Sequence, residues 1–223
     1  LEQTFDILIN TFHILLGVNF IFYFVAFIQR EPALKFIFLY VAASTATEVL
    51  SYLLVHGVIS FAERKTNAPF FFLFIIAQFL SIAFFFRRVL KRRKWFSYYN
   101  YLMILALIIA VAPYILNIQL IMSFSPWAAF ITFPILIFLS SLYFIDLLDI
   151  KKGYPFVNIG IFISLGCSLI NFVSFSFQDG VNDSIKSFKH LLHILPLISL
   201  HILFLYECLL YFKSQIQRST MLR

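Results

Sequence analysis

Apolar residues along this chain neither alternate with polar ones nor mark a single helical stripe; they run together in long blocks separated by short polar connectors. Seven blocks, at 7–28, 36–58, 69–86, 98–117, 122–145, 155–178 and 190–212, match what a helix needs to cross a hydrocarbon core about 30 Å thick, roughly 20 residues. The pattern therefore predicts an all-α integral membrane protein, a single transmembrane domain over 1–223 folded as a bundle of seven spans. The connectors leave no room for a second, soluble domain. The weakest boundary is YILNIQLIMSFSPW, which holds no charge and only Asn117, Gln119 and Pro126 as breakers. Across 98–145, a re-entrant pair thus competes with two full spans. Pro113, Pro134 and Pro196 fall inside spans and are expected to kink or open those helices locally. No internal repeat is visible, which speaks against a transporter built from inverted halves.

Composition agrees with that solvent. The chain is 62% hydrophobic and only 12% charged, far from the balance of a water-soluble domain. Lipid exposure accounts for the 31 Phe residues without an aromatic ligand site. The net charge of +7 would suggest nucleic acid in a soluble protein. Here the cations sit between apolar blocks, so lipid headgroups replace nucleic acid as the expected partner.

None of the seven blocks contains Lys or Arg, and the connectors share them unequally. One side holds Arg30, Lys35, Arg87, Arg88, Lys91, Arg92, Arg93, Lys94, Lys151, Lys152, Lys213, Arg218 and Arg223; the other holds Arg64, Lys65, Lys186 and Lys189. The positive-inside rule then predicts the N-terminus outside and the C-terminus in the cytoplasm. The run Arg87–Lys94 is the largest basic cluster and the expected contact for anionic headgroups. The first apolar block follows acidic residues and lacks a small-residue cleavage site, so it is expected to remain as a helix. Cys167 and Cys208 are expected at depths differing by about 12 Å at 1.5 Å per residue, too far apart for a disulfide.

Polar groups at mid-membrane depth are costly and mark packing or functional sites. Glu48 ranks first: it lies midway along the second span, where Ser44, Thr47, Glu48 and Ser51 share one helical face. With no Lys or Arg in any span, it must be protonated, hydrogen-bonded or paired with histidine. Asn19, Gln78 and His201 fall at similar depth, and His201 is the expected proton-sharing partner of Glu48. A ligand pocket formed by Glu48, Gln78, His201 and Asn171, with Asn19 and His193 nearby, is the expectation; interhelical hydrogen bonds are the plainer alternative. His13, His56, Asn171, His190 and His193 lie nearer the N-terminal side. Asp146, Asp149 and Glu207 fall at the opposite rim, where water solvates them easily, and no chemistry is expected of them. Retinal is argued against, because Lys189 and Lys213 bracket the last span and neither lies inside it.

His190 and His193, three apart on one face, with His56 on the second span, provide a spacing that permits zinc ligation. This loosely resembles the polytopic zinc hydrolases that include alkaline ceramidases and adiponectin receptors. That resemblance implies a membrane-embedded zinc hydrolase. The chain departs from it in pairing histidines three rather than four apart and in having no Asp in the third span. The segments TEVLSYLL, FLFIIAQFLSIAFFFRRVL, LSSLYFIDLL and PFVNIGIFI, in that order, resemble a group of small bacterial seven-helix membrane proteins often encoded beside sensor histidine kinases. This second resemblance implies a sensory role in the bacterial cytoplasmic membrane, a partner such as a histidine kinase, and Glu48, Gln78, Asp146, Asn158 and His193 as the matching polar positions. The leading expectation is a receptor-like sensor. A zinc hydrolase, and a transporter or structural subunit of a membrane complex, stand as the alternatives.

Overall fold

The computed structural model describes residues 2–58, 66–90, 96–122, 125–149, 153–175 and 183–221, and the side chains among them except at 2–3, 96–97, 174–175, 183–190 and 218–221. Several residues used to argue orientation and headgroup contact, Arg64, Lys65, Lys91–Lys94, Lys151, Lys152 and Arg223, lie outside that set. So do the side chains of Lys186, Lys189, His190 and Arg218.

Eight helices follow one another: α1 Glu2–Ile28, α2 Leu34–Val55, α3 Ala68–Val89, α4 Phe96–Leu116, α5 Gln119–Met122, α6 Trp127–Asp149, α7 Pro155–Phe175 and α8 Asp183–Met221. All but the short α5 are long and apolar enough to cross a membrane, which is what an integral membrane protein requires. The region 98–145 holds two full spans. Asn117 explains the boundary between them: its side-chain oxygen accepts the Gln119 amide at 3.1 Å, turning the chain into α5. Pro126 then supplies the carbonyl that starts α6, accepting the Phe130 amide at 3.0 Å. The fifth span consequently begins at Trp127 and not at 122.

The other boundaries have local causes too. Arg30, at φ 61°, ends α1 in a left-handed turn in which the Arg30 amide bonds Phe27 O and the Glu31 amide bonds Ala26 O. Gly57, at φ 71°, ends α2 with the same pair of bonds, Gly57 N to Leu54 O and Val58 N to Leu53 O. α8 continues past the apolar block because Lys, Gln and Arg are good helix formers that do not need hydrocarbon around them. Pro113, Pro134 and Pro196 sit inside α4, α6 and α8, and each helix continues through its proline.

Six spans close a ring: α1 packs on α2, α2 on α3, α3 on α6, α6 on α7, α7 on α8, and α8 back on α1. α4 stands outside it, against α6 and α3. Helices in lipid gain little from apolar contact alone, so close packing and polar ties must hold them. At the α7–α8 seam, a Cβ on Gly160 would stand 2.9 Å from Leu200 Cδ1 and 3.4 Å from Leu200 Cα. A side chain at 160 would have to displace the Leu200 methyl, so glycine suits the close seam. α1 and α8 are joined by two donors from α1 to α8 carbonyls: Asn19 Nδ2 to His201 O at 2.8 Å and Tyr23 Oη to Phe204 O at 2.9 Å. α4 is held by Tyr99 Oη to Ala83 O at 2.6 Å, Trp127 Nε1 to Ile109 O at 3.1 Å and Tyr114 Oη to Ser125 O at 2.9 Å.

Candidate functional site: a cavity inside the ring

A cavity of about 110 Å³ lies inside the ring, and every ring helix contributes to its wall while α4 contributes nothing. Helical periodicity explains the lining. Tyr40, Ser44, Thr47 and Glu48 follow one face of α2. Phe71, Phe74, Ile75 and Gln78 do the same on α3, and Ser164, Ser168 and Phe172 on α7. Phe12 of α1, Phe133 of α6, and His193 and Leu197 of α8 complete it. A cavity of about 150 Å³ admits benzene; the space here suits a molecule of roughly that size.

The lining is rich in aromatic faces and hydrogen-bond acceptors. Gln78 Oε1 and Tyr40 Oη are buried, their residues 6% and 1% exposed, and have no hydrogen-bond partner among the described residues. Each forgoes a bond that a buried polar atom normally makes. Thr47 donates its hydroxyl proton to Ala43 O at 2.9 Å and therefore offers only lone pairs elsewhere. Among the described residues no Lys or Arg lines the space.

Glu48 finds a partner other than the expected one. Its Oε2 lies 3.3 Å from His13 Nε2 on α1, with the two side chains 43% and 47% exposed. Equal depth suggested His201, but ring order decides: α2 neighbours α1, and His13 lies on that seam. Glu48 is thus the exposed member of a lining whose Tyr40, Ser44, Ile75 and Gln78 are buried.

The predicted pocket residues divide into groups. Glu48, Gln78 and His193 line the cavity. His201 lies behind Phe12, its ring edge-on at 5.5 Å, and its contacts with Asn19 belong to the α1–α8 seam. Asn171 is buried without lining the cavity, and its Oδ1 has no partner among the described residues. Of the proposed zinc ligands, His56 is exposed, stacks on Tyr52 with ring centroids 3.9 Å apart and bonds Tyr52 O through Nδ1. The His190 side chain lies outside the described residues. Among the described residues, no three His, Cys, Asp or Glu side chains stand close enough to hold a metal ion.

The opposite end of the bundle holds a polar cluster that sequence reasoning left to solvent. Glu207 and Asp146 are buried. Glu207 Oε2 accepts the amides of Phe156 at 2.8 Å and Val157 at 3.4 Å, capping the first turn of α7 from α8. Tyr143 Oη accepts the Tyr154 amide at 2.9 Å, and Tyr154 Oη donates to Glu31 Oε1 at 2.7 Å. Burial, with the Glu31 carboxylate beside it, pushes the Tyr154 phenol well above its usual range, so it remains a donor. Asn158 and Ser140 bond reciprocally between α7 and α6, Ser140 Oγ to Asn158 Oδ1 at 2.7 Å and Asn158 Nδ2 to Ser140 O at 3.1 Å. The cavity's serines, Ser164 and Ser168, were also missed. Their spacing of four on α7 was the available signal.

No protein-family model, no curated protein and no solved structure matches this chain.

Proposed function

We propose that the chain is a receptor-like sensor that binds a small ligand in the ring cavity and passes the change in helix packing to a partner. The supporting observation is that all six ring helices line one cavity, so a molecule that fills it bears on every one of them. The cluster of Glu31, Tyr143, Tyr154 and Glu207 connects the helix ends at the other side of the bundle. A displacement of an ångström or two there is a sufficient output for a switching protein. In this reading the N-terminus lies outside a bacterial cytoplasmic membrane. The 87–94 connector and the tail from 213 face the cytoplasm, where a histidine kinase or similar partner and anionic headgroups would meet them.

The test uses purified protein in mild detergent and a panel of small aromatic alcohols, acids and amines. At least one probe should raise the melting temperature saturably; at one hundred times Kd the gain is about 2.7 kcal/mol. The same probe should change amide hydrogen exchange around Tyr154–Asn158. Ser168→Phe, which fills the cavity, should abolish both responses. A panel in which no probe produces a saturable shift overturns the proposal.

A further inference from the structure

The cavity's chemistry points to a class of ligand, and this step rests on the receptor reading above. We infer that the cavity takes a small organic cation, an ammonium group carried on an apolar or aromatic body of about benzene size.

The unmet bonding capacity of the wall includes an amide oxygen that can only accept and the Tyr40 hydroxyl, which can accept or donate. Gln78 Oε1 is an acceptor only, and it is buried without a donor. Thr47 has already donated its proton. Among the described lining residues Glu48 brings the one carboxylate and there is no Lys or Arg beside it. An anionic ligand would meet Glu48 and Gln78 Oε1 with nothing but hydroxyls, the Gln78 amide and His193 to offset them. A neutral ligand could satisfy Gln78 but would leave the carboxylate bound to His13 alone.

The walls favour a cation as well. Phe12, Tyr40, Phe71, Phe74, Phe133 and Phe172 line the space, and aromatic rings attract ammonium groups over their faces, most strongly where water is excluded. Glu48 stands at the more open part of the wall, so an ammonium can replace His13 Nε2 as the donor to Oε2 while its body turns toward the rings. Charge-assisted hydrogen bonds are shorter and roughly twice as strong as neutral ones.

The experiment measures binding of benzylamine, benzyl alcohol and benzoate to detergent-purified protein by isothermal titration and by thermal shift. The three have nearly equal size and differ in charge. Benzylamine should bind at least tenfold more tightly than the other two. Glu48→Gln should weaken benzylamine by tenfold or more and leave benzyl alcohol within about threefold, while Ser168→Phe abolishes binding of both. If benzyl alcohol or benzoate binds the wild type as well as benzylamine, and Ser168→Phe removes it, the cation assignment is overturned and the cavity reading stands. Benzylamine binding that survives Ser168→Phe places the probe elsewhere and overturns the inference. No saturable binding of any probe overturns both readings. The wild-type comparison decides the ligand's charge without depending on the folding of Glu48→Gln.

Discussion

Replacing Glu207 tests whether a carboxylate on α8 holds the first turn of α7. The amides of Phe156 and Val157 belong to the opening turn of a helix and have no carbonyl partner within it. Glu207 supplies one acceptor at good distance, 2.8 Å, and a weaker one at 3.4 Å. A hydrogen bond to a charged group contributes about 1.5–3 kcal/mol, and the longer contact contributes less. Glu207→Leu keeps the bulk and removes both acceptors, so a loss of about 2–4 kcal/mol is expected. Glu207→Gln keeps an acceptor and loses the charge that complements the helix N-terminus, which costs about 0.3–2 kcal/mol. The expected order of stability is wild type, Gln, Leu, measured by denaturation with sodium dodecyl sulfate in mixed micelles. Hydrogen exchange gives the local readout: with 1.4 kcal/mol a factor of ten, a loss of about 2–4 kcal/mol at this turn should make the two amides exchange roughly 30–1,000 times faster in Glu207→Leu. Equal stability of all three proteins, with unchanged exchange at 156 and 157, would refute the capping argument.

The helix ends give a paired prediction. Gly57→Ala should cost about 1–2 kcal/mol, because the position has a left-handed backbone although no atom lies within 4 Å of the added carbon. Arg30→Gly should stabilise by up to about 1 kcal/mol for the same reason in reverse, less the greater freedom of glycine in the unfolded chain; both are read by the same detergent titration. For orientation, Arg64→Cys and Lys152→Cys placed separately in a background lacking Cys167 and Cys208 should differ in intact cells. An impermeant maleimide should label position 64 and spare 152, and the opposite pattern would reverse the topology.

The number of spans was legible because it depends on composition over about 20 residues, a local property. The partners of polar residues were not, because depth along a helix says nothing about which helix lies alongside. His201 and Glu48 matched in depth, yet α1 stands between α8 and α2 in the ring and offers His13. Glu207 looked solvated from its position near Lys213, and only the arrival of the α7 N-terminus buries it. α4 could not be told from a ring helix, since a span that faces lipid on most sides and one that faces other helices have similar apolar content. Gln78 and His193 were found by depth and face, and the cavity includes both.

The seam from Asn19 and Tyr23 to α8 joins residues 182 and 181 positions apart. A ribosome makes α1 well before α8, so until α8 emerges the Tyr23 hydroxyl and the second proton of the Asn19 amide lack the carbonyls they bond in the folded bundle. The chamber has no closed wall until α8 is delivered. Truncation anywhere before α8 therefore does more than shorten the molecule: it leaves an open crescent in which the Tyr23 hydroxyl lacks the Phe204 carbonyl and the Asn19 amide keeps only its 2.9 Å bond to Leu15 O on its own helix.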